Sequence, residues 1–144
     1  MLHGRPHALL LFRAPGLIHA GTWQAVHGMV DDAEKAYDAA WRETVEETGL
    51  TPERFCKLEY VETFYSEFTD AVHLVPAFAA FVTGAPGVIL SEEHSAYEWC
   101  TIEDACERVV FANQRNAIQF IAGATDTWPG VGDALYEITG MFQT

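Results

Sequence analysis

Three glutamates, Glu43, Glu46 and Glu47, lie close together in a segment whose composition favours a helix, and their spacing indicates a cation site. At about 100° per residue on a helical wheel, all three side chains point to the same side. Like charges three or four residues apart each cost about 0.2–0.5 kcal/mol. Carboxylates near a helix C-terminus also oppose the helix dipole. A sequence that accumulates these costs on one face predicts a bound divalent cation there.

The surrounding residues fit such a site. Ligands that are all oxygens favour Mg²⁺ or Mn²⁺, which keep several waters and complete their coordination with substrate phosphates. Gly28 precedes the helix, and without a β-carbon its carbonyl can approach a metal or a phosphate closely. Arg42 can fork onto one carboxylate and hold the cluster in register. Small residues on the same side leave room for a ligand: Ala36, Ala39 and Ala40.

The ends of this helix are also predicted from the sequence. Asp31 or Asp32 can cap its N-terminus, and the helix is expected to run to Thr48. Gly49 supplies the left-handed residue that stops it. Trp41, on the side opposite the glutamates, is the expected anchor into the core.

Other segments alternate between strand and helix patterns. The predicted strands are ALLLF (8–12), TWQAV (22–26), LEYVETFYSEF (58–68), AVHLVPAFAAFV (71–82) and AYEWCTI (96–102). The predicted helices are IEDACERVV (102–110) and NQRNAIQFIAG (113–123), with Asn113 as a cap for the second. Pro76 favours an edge or bulge position. The alternation predicts an α/β sandwich around a mixed β-sheet.

The chain is expected to form one domain over residues 1–144, since no linker or repeat interrupts it. Residues 124–144 are treated as a C-terminal extension of unknown role, with a short helix predicted around DALYEI (133–138).

Composition narrows the class of partner and the compartment. The 144 residues carry a formal net charge of −13, which argues against nucleic acid polymers and anionic membranes as partners. A small anionic substrate stays compatible if a metal inverts the local potential. Three cysteines without C-x-x-C spacing indicate neither a disulfide framework nor a zinc site, so a reducing cytoplasm is expected. The apolar stretches are too short to span a membrane.

The glutamate helix belongs to a recognisable pattern. The pattern consists of Gly28, five residues, Glu34, seven residues and then RETVEETGL (42–50). It resembles the complete signature of the Nudix hydrolases, with Thr44 where an aliphatic residue is usual. The segments WQAVHG (23–28), SEEHSAYEW (91–99) and NQRNAIQF (113–120) resemble the branch that contains dihydroneopterin triphosphate and dATP pyrophosphohydrolases.

This resemblance implies a fold and an activity. The fold would be a Nudix-type α/β/α sandwich around a mixed sheet, and the activity Mg²⁺-dependent hydrolysis of a nucleoside triphosphate, or a related nucleoside-diphosphate-linked molecule, to a nucleoside monophosphate and pyrophosphate. Glu43, Glu46, Glu47 and the Gly28 carbonyl would bind Mg²⁺ (or Mn²⁺), with Glu43 and Glu47 in the catalytic machinery. Arg42 would orient the carboxylates.

Two roles stay open within this reading. The general base is either Glu43 or Glu93, which aligns with the glutamate of the E-H motif, and we expect Glu93 to complete the site. Trp23, His27 and Tyr97 are candidate contacts for the substrate, although each residue is as well explained as part of the core or of a loop.

Alternative functions share the same motif. They include a sanitiser of oxidised nucleotides, a dinucleoside polyphosphate hydrolase, a nucleotide-sugar hydrolase and a non-catalytic nucleotide-binding sensor. The sensor is disfavoured because degenerate modules commonly lose a ligand carboxylate, and this chain keeps all of them.

The N-terminus departs from the usual pattern of the resemblance. Nudix domains usually place a full strand before the one assigned to ALLLF, and only seven residues precede Ala8. The strand is expected to be missing, truncated or supplied by another chain. Family members are often homodimers, so a homodimer is one expected assembly.

Overall fold

The computed structural model describes residues 5–126 and 135–143, which contain both strands and helices. The strands are β1 (His7–Arg13), β2 (Trp23–Gln24), β3 (Arg54–Ser66), β4 (Ala71–Phe81), β5 (His94–Thr101) and β6 (Leu135–Glu137). The helices are α1 (Ala36–Thr48), α2 (Ile102–Arg108) and α3 (Ala112–Asp126), followed by a 3₁₀ turn at Thr139–Met141. The predicted α/β class is confirmed.

The strands form two sheets rather than the single mixed sheet that was expected. One sheet has the order β2-β1-β5 and the other β4-β3-β6, and all strand pairs in the described ranges are antiparallel. Parallel pairing there is limited to an isolated bridge between Trp23 and Val109. The longest strand pair is β3 and β4, which are joined directly by the turn at 67–70. Such a short connection permits only antiparallel pairing.

Pro76 lies both on an edge strand and beside a bulge, the two positions that the sequence analysis offered for it. Within the described chain β4 pairs only with β3, so Pro76 is on an edge strand. It faces Val61, next to a register shift between Lys57 and Val61. A residue without an amide hydrogen costs little at an edge or a bulge.

Helix α3 connects the two halves of the core. The first buried cluster lies between β1, β5, α2 and α3, and comprises Leu10, Cys100, Ala105, Val109 and Ile118. The second lies between β3, β4 and α3, and comprises Cys56, Leu58, Ala79 and Ala124. Because α3 contributes Ile118 to one cluster and Ala124 to the other, it fixes the two sheets relative to each other.

The C-terminal segment belongs to the second sheet, so the short helix predicted around DALYEI is wrong at Leu135–Glu137, where the chain forms β6. This strand pairs with Cys56–Leu58 of β3. Beyond it, the ring of Phe142 stacks on Trp41 with centroids 4.3 Å apart and an interplanar angle of 5°. Hydrogen bonding to β3 and aromatic packing favour the extended form over local helix propensity. Residues 133–134 lie outside the described ranges.

Two of the predicted helix caps are wrong. Helix α1 begins after Lys35, which makes no capping hydrogen bond through its side chain, and Asp31 and Asp32 lie further upstream. Asn113 lies inside the first turn of α3 rather than before it. The predicted C-terminal stop is confirmed, since Gly49 has the left-handed conformation.

Two further expectations concern the chain ends and membranes. Residues 1–4, on which the expectation about a strand before β1 depends, lie outside the described ranges. Among the described residues, every helix is too short or too polar to span a membrane.

Candidate active site

The C-terminal end of α1 is fixed by backbone contacts, which places its glutamates precisely. Gly49 has φ +68°, and its N–H donates to the carbonyl of Val45 at 2.8 Å. The N–H of Ile89 donates to the carbonyl of Thr48 at 2.9 Å. A β-carbon on Gly49 would also lie 2.9 Å from Cβ of Ile89. Both backbone conformation and packing therefore favour glycine at this position.

Arg42 is the centre of the polar network on this helix. Its Nε and one terminal nitrogen donate to the two oxygens of Glu34, both at 3.0 Å. The other terminal nitrogen donates to Glu43 at 2.8 Å and to Glu46 at 3.1 Å. A further bond at 3.0 Å reaches the carbonyl of Met29. The fork onto one carboxylate that the sequence predicted is therefore made to Glu34, and its hydrogen bonds lower the pKa of Glu34.

Glu47 lies in a very different environment. It is 3% exposed, and its Oε2 has no hydrogen-bond partner within the described part of the chain. Burial, assisted by the charges of Glu43 and Glu93, raises its pKa to about 8. The guanidinium of Arg13 and the backbone N–H of His27 oppose this rise. A buried carboxyl group with an unpaired oxygen is costly unless a ligand completes it.

The helical wheel predicted that the three glutamates would point to the same side, but their carboxylates do not converge on one point. Glu46 is 57% exposed and turns toward Arg42, whereas the side chain of Glu43 is 17% exposed. In the described ranges, no three His, Cys, Asp or Glu side chains are close enough to hold a metal ion. Arg42 forms an ion pair with Glu46, which lies four residues later on the same helix. Glu43 and Glu47 remain near enough for their charges to interact.

Gly28 lies directly against Glu43. A β-carbon at this glycine would overlap both Cδ and Cγ of Glu43. Only glycine leaves the space that this glutamate occupies. The loop that carries Gly28 is held by Gln114 of α3, whose buried side-chain oxygen accepts the N–H of Ala25 at 3.0 Å. Gln114 is a positioning residue that the sequence reasoning did not single out, although it lies within the NQRNAIQF segment.

Arg13 is a second residue that the sequence reasoning missed. Its guanidinium pairs with the carboxylate of Glu93, and the backbone carbonyl of Glu93 accepts the N–H of Ala14 at 2.9 Å. His94 is 6% exposed, its Nδ1 has no partner in the described residues, and burial lowers its pKa. The available signal was an arginine directly after the predicted strand ALLLF, in a chain with only eight lysines and arginines.

A cavity of about 780 Å³ opens between α1, α3 and β4. Its walls include His27, Gly28 and Glu43, together with Ala36, Ala39 and Ala40. The small residues on this side of α1 therefore border an open space, and its use by a ligand stays a prediction. Cavities of this size accept small organic molecules.

The three predicted substrate contacts lie in different places. His27 lines the cavity, and burial lowers its pKa. Trp23 packs on Phe12, with ring centroids 5.0 Å apart, and adjoins the first core cluster. Tyr97 is 39% exposed on β5 and is not part of the cavity lining. The structure thus brings only His27 beside Gly28 and Glu43.

Comparisons with known proteins bear on the family to which the chain belongs. Residues 2–121 match the model of the NUDIX domain. A bis(5'-nucleosyl)-tetraphosphatase (asymmetrical) from Caenorhabditis elegans is 32% identical over 106 residues, which cover 70% of this chain and 77% of that protein.

Two solved structures are similar over most of the chain. A C. elegans Ap4A hydrolase binary complex has a TM-score of 0.64 and 26% identity, over 85% of this chain and 89% of that one. The Escherichia coli dihydroneopterin triphosphate pyrophosphohydrolase has a TM-score of 0.73 at 22% identity, over 85% of this chain and 90% of that one, so it supports the fold alone. The match to the domain model and the relative above 30% identity show that this chain belongs to the Nudix hydrolases.

Proposed function

We propose that this protein hydrolyses a phosphoanhydride bond in a small nucleotide, with Mg²⁺ or Mn²⁺ held by Glu43, Glu46, Glu47 and the carbonyl of Gly28. One observation carries the proposal. The Oε2 of Glu47 is buried without a partner in the described residues, and its carboxyl has a pKa raised to about 8. A divalent cation is the ligand that would satisfy this oxygen and remove its repulsion from Glu43.

The residues present fit such a cation. Carboxylate oxygens are the donors that Mg²⁺ and Mn²⁺ prefer. Glu47 is buried and its charge interacts with that of Glu43. Glu43 and Glu46 both accept hydrogen bonds from Arg42, so both would have to loosen these bonds to bind the cation with Glu47. When bound, the cation would supply Lewis-acid polarisation of the phosphate oxygens and a better water nucleophile.

The chain's own residues would orient the reaction. Arg42 holds Glu43 by a bond of 2.8 Å and anchors the whole network on Glu34. Glu93 lies close enough to raise the pKa of Glu47. The carboxylate of Glu93 is held by its ion pair with Arg13. We infer that Glu93 completes the site and accepts a proton from the attacking water. Glu43, whose carboxylate accepts a hydrogen bond from Arg42 at 2.8 Å, is the alternative base.

The leading substrate is a nucleoside triphosphate, with a nucleoside monophosphate and pyrophosphate as products. The second candidate is a dinucleoside tetraphosphate cleaved asymmetrically, because a relative with 32% identity bears that activity in its name. Oxidised nucleotides, nucleotide sugars and a non-catalytic sensor role remain the further alternatives.

Product analysis tests the proposed function directly. The protein is incubated with ATP, GTP or diadenosine tetraphosphate, in Mg²⁺ and in EDTA, and the products are separated by anion exchange. We expect Mg²⁺-dependent turnover that yields pyrophosphate from a triphosphate, or a monophosphate plus a triphosphate from the tetraphosphate. Saturable nucleotide binding without Mg²⁺-dependent turnover on any substrate would instead support the sensor.

The assignment of Glu93 has its own test. Glu93→Gln keeps the shape of the side chain and removes its basic oxygen, so we expect turnover in Mg²⁺ to fall by about 10²-fold or more. The neighbouring Glu92 is also exposed, and Glu92→Gln serves as the control with little expected effect. Turnover of Glu93→Gln near the wild-type rate would assign the base to Glu43.

A further inference from the structure

Glu62 of β3 lies in the wall of the cavity that also contains Gly28 and Glu43. Its cross-strand neighbour on β4 is Val75, which lines the same cavity. Successive side chains of a strand alternate between faces, so Val75 shares its face with Ala77 and Ala79, which pack with α3 in the second core cluster. The face that carries Glu62 is therefore the one turned toward α3 and the cavity.

The carboxyl group of Glu62 is half-buried. Within the described residues it makes neither a hydrogen bond nor an ion pair, and burial alone raises its pKa. Glu59, three residues earlier, shows the contrast, since it is exposed and accepts the hydroxyl of Tyr136 at 2.8 Å. A partly desolvated acceptor in a largely apolar wall is costly unless a ligand donates to it.

We propose that Glu62 recognises the edge of the substrate's base and selects a base with two adjacent N–H donors, as in guanine. An ionised carboxylate is an acceptor only, and its two oxygens can accept two parallel hydrogen bonds. A ring N–H beside an amino group presents that pair of donors. Adenine presents an amino donor beside a ring acceptor, so one carboxylate oxygen would face a lone pair. This inference rests on the proposed function and specifies its substrate class.

The test compares GTP, ITP and ATP on the wild-type protein and on Glu62→Gln. Inosine keeps the ring N–H of guanine but lacks the amino group, so the wild type should prefer GTP over ITP and ITP over ATP. In Glu62→Gln one acceptor is replaced by a donor, which matches the edge of adenine. We expect kcat/KM for GTP to fall about tenfold or more and the ratio of ATP to GTP to rise.

A matched control separates base reading from loss of charge. Glu67 lies in the exposed turn that follows β3 and does not line the cavity, so Glu67→Gln removes the same charge from the same hairpin. We expect it to keep the wild-type order of substrates. Thermal melting followed by circular dichroism checks that both variants remain folded.

The outcomes separate this inference from the proposed function. An equal loss of kcat/KM for all three nucleotides in Glu62→Gln, or a wild-type preference for ATP, would overturn the base-reading role. If no nucleotide is hydrolysed, the proposed function fails, and affinities for non-hydrolysable GTP and ATP analogues then decide the role of Glu62. A preference for the GTP analogue that disappears in Glu62→Gln supports it, and equal affinities overturn it.

Discussion

Replacing Glu47 by Gln should stabilise the metal-free protein at neutral pH. The carboxyl of Glu47 has a pKa of about 8 in the folded chain, against an ordinary value of 4.5. A carboxyl whose pKa is raised by folding destabilises the fold as pH rises through the unfolded value, and the full cost is reached above the folded value. Glutamine keeps the shape of the protonated group and does not titrate, so Glu47→Gln removes this cost.

The size of the effect follows from the shift. Each unit of pKa difference corresponds to about 1.4 kcal/mol. The cost is therefore close to zero at pH 4, about 3 kcal/mol at pH 7, and about 5 kcal/mol above pH 8. For a chain of this size, roughly 2–4 °C per kcal/mol predicts a melting temperature about 6–12 °C higher for Glu47→Gln at pH 7 in EDTA.

The assay is thermal or urea unfolding in EDTA between pH 5 and 8, repeated with Mg²⁺. Stability of the wild type should fall relative to Glu47→Gln as pH rises, and Mg²⁺ should restore it, by about 2.7 kcal/mol at 100 times the dissociation constant. Glu47→Gln should gain little from Mg²⁺. Glu46→Gln is the matched control on the same helix, because Glu46 is 57% exposed and its removal should change metal-free stability little.

Two results would refute this reasoning. If Glu47→Gln is less stable than the wild type in EDTA at pH 7–8, the charge of Glu47 is satisfied in the fold by a group other than a cation. If Glu47→Gln retains the full stabilisation by Mg²⁺, the cation binds elsewhere and the carboxylates of α1 are not its ligands.

Two other substitutions test packing at the site and at the C-terminus. Gly28→Ala places a β-carbon where it overlaps Cγ of Glu43, so the glutamate must move. We therefore expect Mg²⁺-dependent turnover to fall about tenfold or more, while the protein remains folded. Phe142→Ala removes a ring stacked 4.3 Å from Trp41, and we expect about 1–3 kcal/mol less stability in urea unfolding, because the ring is only partly buried.

Each of these variants has a counterpart elsewhere in the chain. A β-carbon added at Gly87 would meet no atom of the described residues within 4 Å, so Gly87→Ala should leave turnover unchanged. Phe68 is 92% exposed, so Phe68→Ala should change stability by less than about 0.5 kcal/mol. Normal turnover in Gly28→Ala, or a Phe142→Ala variant as stable as Phe68→Ala, would contradict the respective argument.

Much of the local structure could be predicted from the residues. The strand ALLLF, the long β3–β4 hairpin and the left-handed stop at Gly49 follow from β-branched and aromatic runs and from the freedom of glycine. Membership of the Nudix hydrolases was also predicted correctly, because the signature lies within one continuous stretch from Gly28 to Leu50.

The errors concern segments whose conformation depends on distant partners. The strand at Leu135–Glu137 exists because β3 offers hydrogen bonds about 80 residues earlier in the chain. The predicted caps at Asp31 and Asp32 failed because α1 begins only after Lys35. The turn before it is held by Glu34, which pairs with Arg42 and accepts the N–H of Asp31. Neither arrangement leaves a signal in the local composition.

The sequence by itself determined that acidic side chains gather in the last two turns of one helix, since helical periodicity fixes which residues share a face. Only the tertiary structure decided which of them is exposed, which is paired and which is buried. Arg42 draws Glu46 outward, whereas the packing around Glu47 removes it from water. Solvation and long-range charge depend on groups such as Arg13 and Glu93, which lie far away in sequence and meet only when the chain folds.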